Sequence, residues 1–180
     1  YDKDSPMGRE VDGTDVLESE FGGSIGGRKE FFDREFRFKG LVNREIDFET
    51  GFWMEYPWAE EFGKLARRHR IALSVHAPIA GFMGHVERDR KHGMATGMLD
   101  HSAGIAKVAG AEPVVFHPGF LLGRTHKQTI ASVVSQLAGL RKRLDGKERG
   151  VPFGVEIMGR VNDFGSLDDV IAISSRLAWV

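Results

Sequence analysis

The chain has 180 residues, of which 41% are hydrophobic and 28% charged, the make-up of an ordinary globular domain able to bury a sizeable core. Twenty-five Lys and Arg against 26 Asp and Glu leave a formal net charge of −1, so global electrostatics does not draw the protein to a polyanion, and any such site must be built locally from clustered cations or metal ions. There is no cysteine, which excludes disulfides and Cys-based zinc sites and leaves His, Asp and Glu to bind a metal.

No apolar run approaches the roughly 20 residues of a membrane span, and the start lacks the charged-then-apolar pattern of a signal peptide. The expectation is a cytoplasmic protein with no membrane partner. The first residue, Tyr1, and the closing stretch RLAWV, which reads as the beginning of a strand, together predict a piece of a longer chain.

Residues 1–40 are polar and glycine-rich, with SEFGGSIGGRKEF at their centre and no sustained apolar period, and are expected to be loop-rich or poorly ordered. The GGSIGG glycines could cradle a phosphate, but no strand precedes them, and a connector is the better reading.

Residues 41–180 form the expected folded unit. LVNREIDF carries Val42, Ile46 and Phe48 as a strand. A helix follows, with Pro57 in its first turn and Trp58, Phe62 and Leu65 as its apolar side. IALSV is a strand apolar on both faces, as buried parallel strands are, and it ends on His76. In the next helix Met94, Met98, His101, Ile105 and Val108 share a stripe, and Gly110 ends it.

Strand PVVFH ends on His117, and the helix after it opens with the capping-box pair Thr125 and Gln128 and buries Ile130, Val133, Val134, Leu137, Leu140 and Leu144. Strand VPFGVEI delivers Glu156, a further helix starts at Ser166 with Asp169, and a fifth strand begins near Leu177. This βαβαβαβα order selects an α/β fold with parallel strands and right-handed crossovers. Four βα units fit a doubly wound sheet or a partial (β/α)8 TIM barrel; the lack of a Gly-rich turn after the strands and the liganding residues at several strand ends favour the barrel.

His76, His117 and Glu156 are spaced 41 and 39 residues apart, each at the carboxyl end of an apolar run. In α/β proteins such ends gather on one face, where sites are built. Prolines in HAP and HPG turn the backbone away just after each imidazole. A carboxylate flanked by apolar neighbours, as Glu156 is in GVEIM, is costly to bury unpaired, and a cation or an arginine such as Arg160 or Arg124 would relieve it. Two imidazoles and one carboxylate leave an open position on a tetrahedral zinc that can hold and acidify water. His69, His92 and His126 lie in charged segments, His85 reads as a solvent-facing loop residue, and His101 as a core or supporting group.

HAP at one strand end, VVFHPGFLLGR at the next and GVEIMG at the third resemble the endonuclease IV family (apurinic/apyrimidinic endonuclease family 2) of the xylose-isomerase-like TIM barrels. The resemblance runs from Leu41 to Val180 and covers the first half of that barrel. It implies a zinc-dependent enzyme of base-excision repair that hydrolyses phosphodiester bonds of abasic-site DNA with up to three zinc ions. It implies further that His76, His117 and Glu156 form the first zinc site, with Glu156 bridging to a second ion in a catalytic role, and that the remaining ligands come from later strands. Ile79 stands where the family commonly has a tyrosine that stacks on DNA. The alternatives are a divalent-metal sugar isomerase or epimerase on the same barrel, and a catalytically incomplete half-barrel that self-associates through its open edges.

Overall fold

The computed structural model describes residues 42–86, 89–158 and 164–180. The segment expected to be loop-rich, residues 1–40, lies outside the described residues. Strands β1 (Val42–Asp47), β2 (Ile71–His76), β3 (Val114–Phe116) and β4 (Phe153–Val155) alternate with helices α1 (Tyr56–Arg68), α2 (Arg90–Ala109), α3 (His126–Asp145) and α4 (Leu167–Ser174). All three strand pairings are parallel and follow chain order, β1-β2-β3-β4. This is a partial barrel of four βα units, as the alternation predicted. Among the described residues no helix is long and apolar enough to cross a membrane.

The register separates the two faces. Ile46, Val75, Val114 and Phe153 are paired in one row across all four strands and are buried. Because successive side chains point to opposite faces, the next row, Asp47, His76, Val115 and Gly154, lies on the other side. The first face packs on the helices. The second is the inner face of the curved sheet, where Ala72 and Ser74 are only half-buried. β2 is therefore not enclosed on both faces as its apolar run suggested, since its inner positions carry small and polar side chains.

The helix faces differ from those expected. In α1 the buried residues are Ala59, Gly63 and Ala66, Phe62 and Leu65 lie at the margin of the core, and Trp58 is 63% exposed. In α2 the buried side is Ala95, Leu99, Ala103, Ile105, Ala106 and Ala109, while Met94 is exposed. The cause is close approach: a Cβ on Gly63 would run into the Ala109 carbonyl, and one on Gly104 into the Tyr56 hydroxyl. Small residues let α1 and α2 touch backbone to backbone, so bulky side chains flank the contact.

Helix α3 keeps its expected face through Val133, Leu137, Leu140 and Leu144, and the Thr125–Gln128 capping box is formed. Gly110 closes α2 in the left-handed conformation at φ 71°. No strand forms at Leu177; instead the Phe153 amide donates to Trp179 O at 2.8 Å, a single bond on the free edge of β4.

Candidate metal centre

β2 ends on His76, His117 follows β3 directly and Glu156 follows β4 directly, so three adjacent parallel strands each carry one donor to the same end of the sheet. Backbone pairing runs just past the strands and fixes these ends. Ala77 N donates to Val115 O at 2.8 Å and Glu156 N to Phe116 O at 2.9 Å. The three residues predicted from sequence converge: one ligand atom from each of His76, His117 and Glu156 lies within 4.8 Å of the other two. Among the described residues no other set of three His, Asp or Glu side chains does so.

His76 is buried and held at both ring nitrogens. Nδ1 faces the Ala77 carbonyl at 3.0 Å and Nε2 faces Glu156 Oε2 at 2.7 Å. A carbonyl only accepts, so Nδ1 carries a proton and Nε2 is the nitrogen turned to the centre. Burial works against a charge on this ring, but the hydrogen bond to Glu156, the charges of Glu45 and Glu156 and the Ala77 carbonyl outweigh it, and the pKa is raised.

His117 sits with its ring centroid 5.1 Å from that of His76, at 64°. Both its ring nitrogens are buried, and neither has a hydrogen-bond partner. Buried polar groups are nearly always satisfied, and an orphaned pair on one imidazole calls for a missing partner. The donor set fits a borderline-soft divalent cation: two imidazoles and a carboxylate, with the Nδ1–H of His76 fixed by a backbone carbonyl as in the outer shell of many metal sites.

The surroundings of Glu156 correct one expectation. Its side chain is 45% exposed, because β4 ends at Val155 and the carboxylate emerges at the open end of the sheet. Burial among apolar neighbours is thus not what demands a partner; the orphaned nitrogens of His117 are. Nor does Arg124 serve it, being engaged by the carbonyls of Gly84 and Leu121, while Arg160 lies outside the described residues.

Two carboxylates escaped the sequence reading. Glu45 and Asp47 lie on the inner face of β1, and Asp47 is the register partner of His76. Ser74 Oγ donates to Glu45 at 3.3 Å. Burial, with help from Asp47 and Glu156, pushes the Glu45 pKa up against the opposing pull of His76 and Ser74. Their period-two spacing in NREID was the available signal.

His85 is buried rather than solvent-facing: its ring lies 4.7 Å from that of Phe82, its carbonyl accepts from Gln136, and burial, helped by Lys91, lowers its pKa. His101 packs edge-on to Phe52 and Tyr56, with centroids at 4.3 and 5.4 Å.

The family model described as xylose isomerase-like TIM barrel matches residues 43–180. An uncharacterized protein of Methanocaldococcus jannaschii is 23% identical over 133 residues, 74% of this chain and 47% of the relative. A crystal structure of a D-tagatose 3-epimerase-like protein has a TM-score of 0.56 at 20% identity, covering 73% of this chain and 50% of the other. That of an AP endonuclease, family 2, from Brucella melitensis has a TM-score of 0.49 at 15% identity, covering 75% and 54%. The chain spans about half the length of the curated relative it matches.

Proposed function

The chain belongs to the xylose isomerase-like TIM-barrel family, and from that membership we propose that it is part of a divalent-metal enzyme in which His76, His117 and Glu156 hold a zinc ion. The observation that carries the reading is the pair of buried, unpartnered nitrogens on His117, set beside His76 and Glu156. A bound ion at this place supplies Lewis acidity and an acidified water at neutral pH. Ala77 O holds the His76 ring by Nδ1, so that Nε2, which faces Glu156 Oε2, is the nitrogen that would serve as donor. Glu156, half-exposed at the mouth, has a second carboxylate oxygen available for a neighbouring ion or a proton.

The reaction proposed is hydrolysis of DNA phosphodiester bonds at abasic sites, by the whole protein of which this chain carries one donor set. Support comes from the histidine-rich triplet and from the string VVFHPGFLLGR around His117. The test is incision of an abasic-site duplex in the presence of zinc, lost on chelation and in Glu156→Gln. An intact duplex with zinc present would sink this reading.

A second reading, a sugar isomerase or epimerase, is favoured by the inner face itself. Glu45 and Asp47 bring carboxylates beside the triplet, and Ile79 at the rim is 48% exposed where a DNA-stacking ring would be useful. Turnover of ketoses with manganese or cobalt, without incision of DNA, selects it.

A further inference from the structure

The pair His126 and Asp169 has no part in the triplet, yet it is built with more bonds than a surface ion pair needs. Asp169 is buried on α4, and its two oxygens are fully used. Oδ1 faces His126 Nδ1 at 2.9 Å, while Oδ2 accepts from Gly165 N at 3.1 Å, Ser166 N at 3.1 Å and Ser166 Oγ at 2.9 Å. His126 is the first residue of α3 and Asp169 lies in the first turn of α4. Both therefore stand at the end of the sheet where β3 and β4 deliver His117 and Glu156.

The contact continues inward through Gly165. Its backbone, at φ 97°, lies so close to Met158 and Pro118 that a Cβ would come within 2.8 Å of Met158 Cβ and 3.0 Å of Pro118 Cγ. The Met158 amide donates to Gly165 O at 2.9 Å. Pro118 is the neighbour of His117, and Met158 is two residues beyond Glu156. Between the imidazole on α3 and two of the three donors there is thus an unbroken line of bonded or touching groups.

We propose that His126 and Asp169 are positioning residues for the metal centre: the pair fastens the start of α4 to α3 and, through Gly165, fixes the separation of His117 and Glu156. This rests on the metal reading above. Partners outside the ligand shell change metal affinity by about 10-fold to 100-fold, and one acting through intervening backbone belongs at the lower end.

The test compares the dissociation constant for zinc, by calorimetry, in the wild type, His126→Ala and His126→Gln, with hydrogen exchange of the Met158 amide and the thermal midpoint measured alongside. His126→Ala is expected to fold, to exchange Met158 faster and to bind zinc about 10-fold more weakly. His126→Gln, whose amide can donate to Asp169 Oδ1, is expected to recover most of the affinity. Unchanged zinc affinity in His126→Ala overturns the proposal even if Met158 exchanges faster, and so does a loss that His126→Gln fails to restore. A wild type that takes up no zinc overturns the metal reading itself, and is recognised before any variant is compared.

Discussion

Nε2 of His76 and Oε2 of Glu156 lie 2.7 Å apart although 80 residues separate them in the chain. Without an ion they satisfy each other. With one, both would turn to the cation, and one of the two His117 nitrogens would acquire the partner it lacks.

Zinc should therefore raise the thermal midpoint of the wild-type protein, since an ion at 100 times its dissociation constant stabilises by about 2.7 kcal/mol. His117→Ala and Glu156→Gln should lose that increment, with affinities reduced by at least about 100-fold, because removing a direct ligand costs no less than removing an outer-shell partner. Calorimetric titration and a melting curve with and without chelator check both.

His117→Phe should act in opposite directions on binding and on folding. It abolishes zinc binding, yet in chelator it leaves stability unchanged or raises it by about 1 kcal/mol, because two buried unpaired nitrogens are replaced by a ring of similar shape. Urea denaturation of the ion-free proteins gives the sign. A loss of more than about 1 kcal/mol would mean that the nitrogens are satisfied after all.

Asp100 on α2 is 5% exposed at its side chain and receives Arg143 at 2.8 Å, Arg149 at 2.8 Å and Lys147. Burial pushes its pKa up, but the hydrogen bonds from Lys147, Arg143 and Arg149 outweigh this and hold it below the usual carboxylate value. A depressed folded-state pKa means that the stabilisation is complete above the unfolded value, about 3.9, and is lost as pH falls through the lower folded value. The wild type should therefore lose stability below about pH 4, and Asp100→Asn should lose less over that interval. At pH 7 Asp100→Asn should be less stable by about 1 to 3 kcal/mol, from the lost charge-assisted bonds. Denaturation midpoints between pH 7 and pH 2 decide.

Two glycine-to-alanine changes should have opposite signs. Gly97 in α2 has open space where a Cβ would go, so Gly97→Ala gains helix propensity of up to about 1 kcal/mol. Gly63 lies against the Ala109 backbone, so Gly63→Ala should cost about 1 to 3 kcal/mol as α1 is forced off α2. Thermal or urea melts of the two variants give the comparison.

The strand ends were legible because two constraints coincide there: an apolar run marks a buried strand, and a polar residue closing it marks where the strand leaves the core. His76, His117 and Glu156 met both conditions. The faces of α1 and α2 were not legible, since hydrophobic periodicity weights Trp58, Met94 and Met98, whereas contact between the helices is carried by Gly63, Gly104 and Ala109, which have little or no side chain to score. The exposure of Glu156 was hidden for a related reason. Its apolar neighbours Val155 and Ile157 suggested enclosure, but β4 stops one residue earlier and Ile157 is itself exposed.

The row in which Ile46, Val75, Val114 and Phe153 meet the helices alternates, one residue on, with the row that holds His76. Inserting a single residue within β2 would send the imidazole into the helix layer and bring Val75 to the mouth of the barrel, because a slip of one reverses every side chain on a strand. Convergence of the triplet thus counts strand residues: only a chain threaded in the correct frame through three neighbouring strands can present all three donors at once.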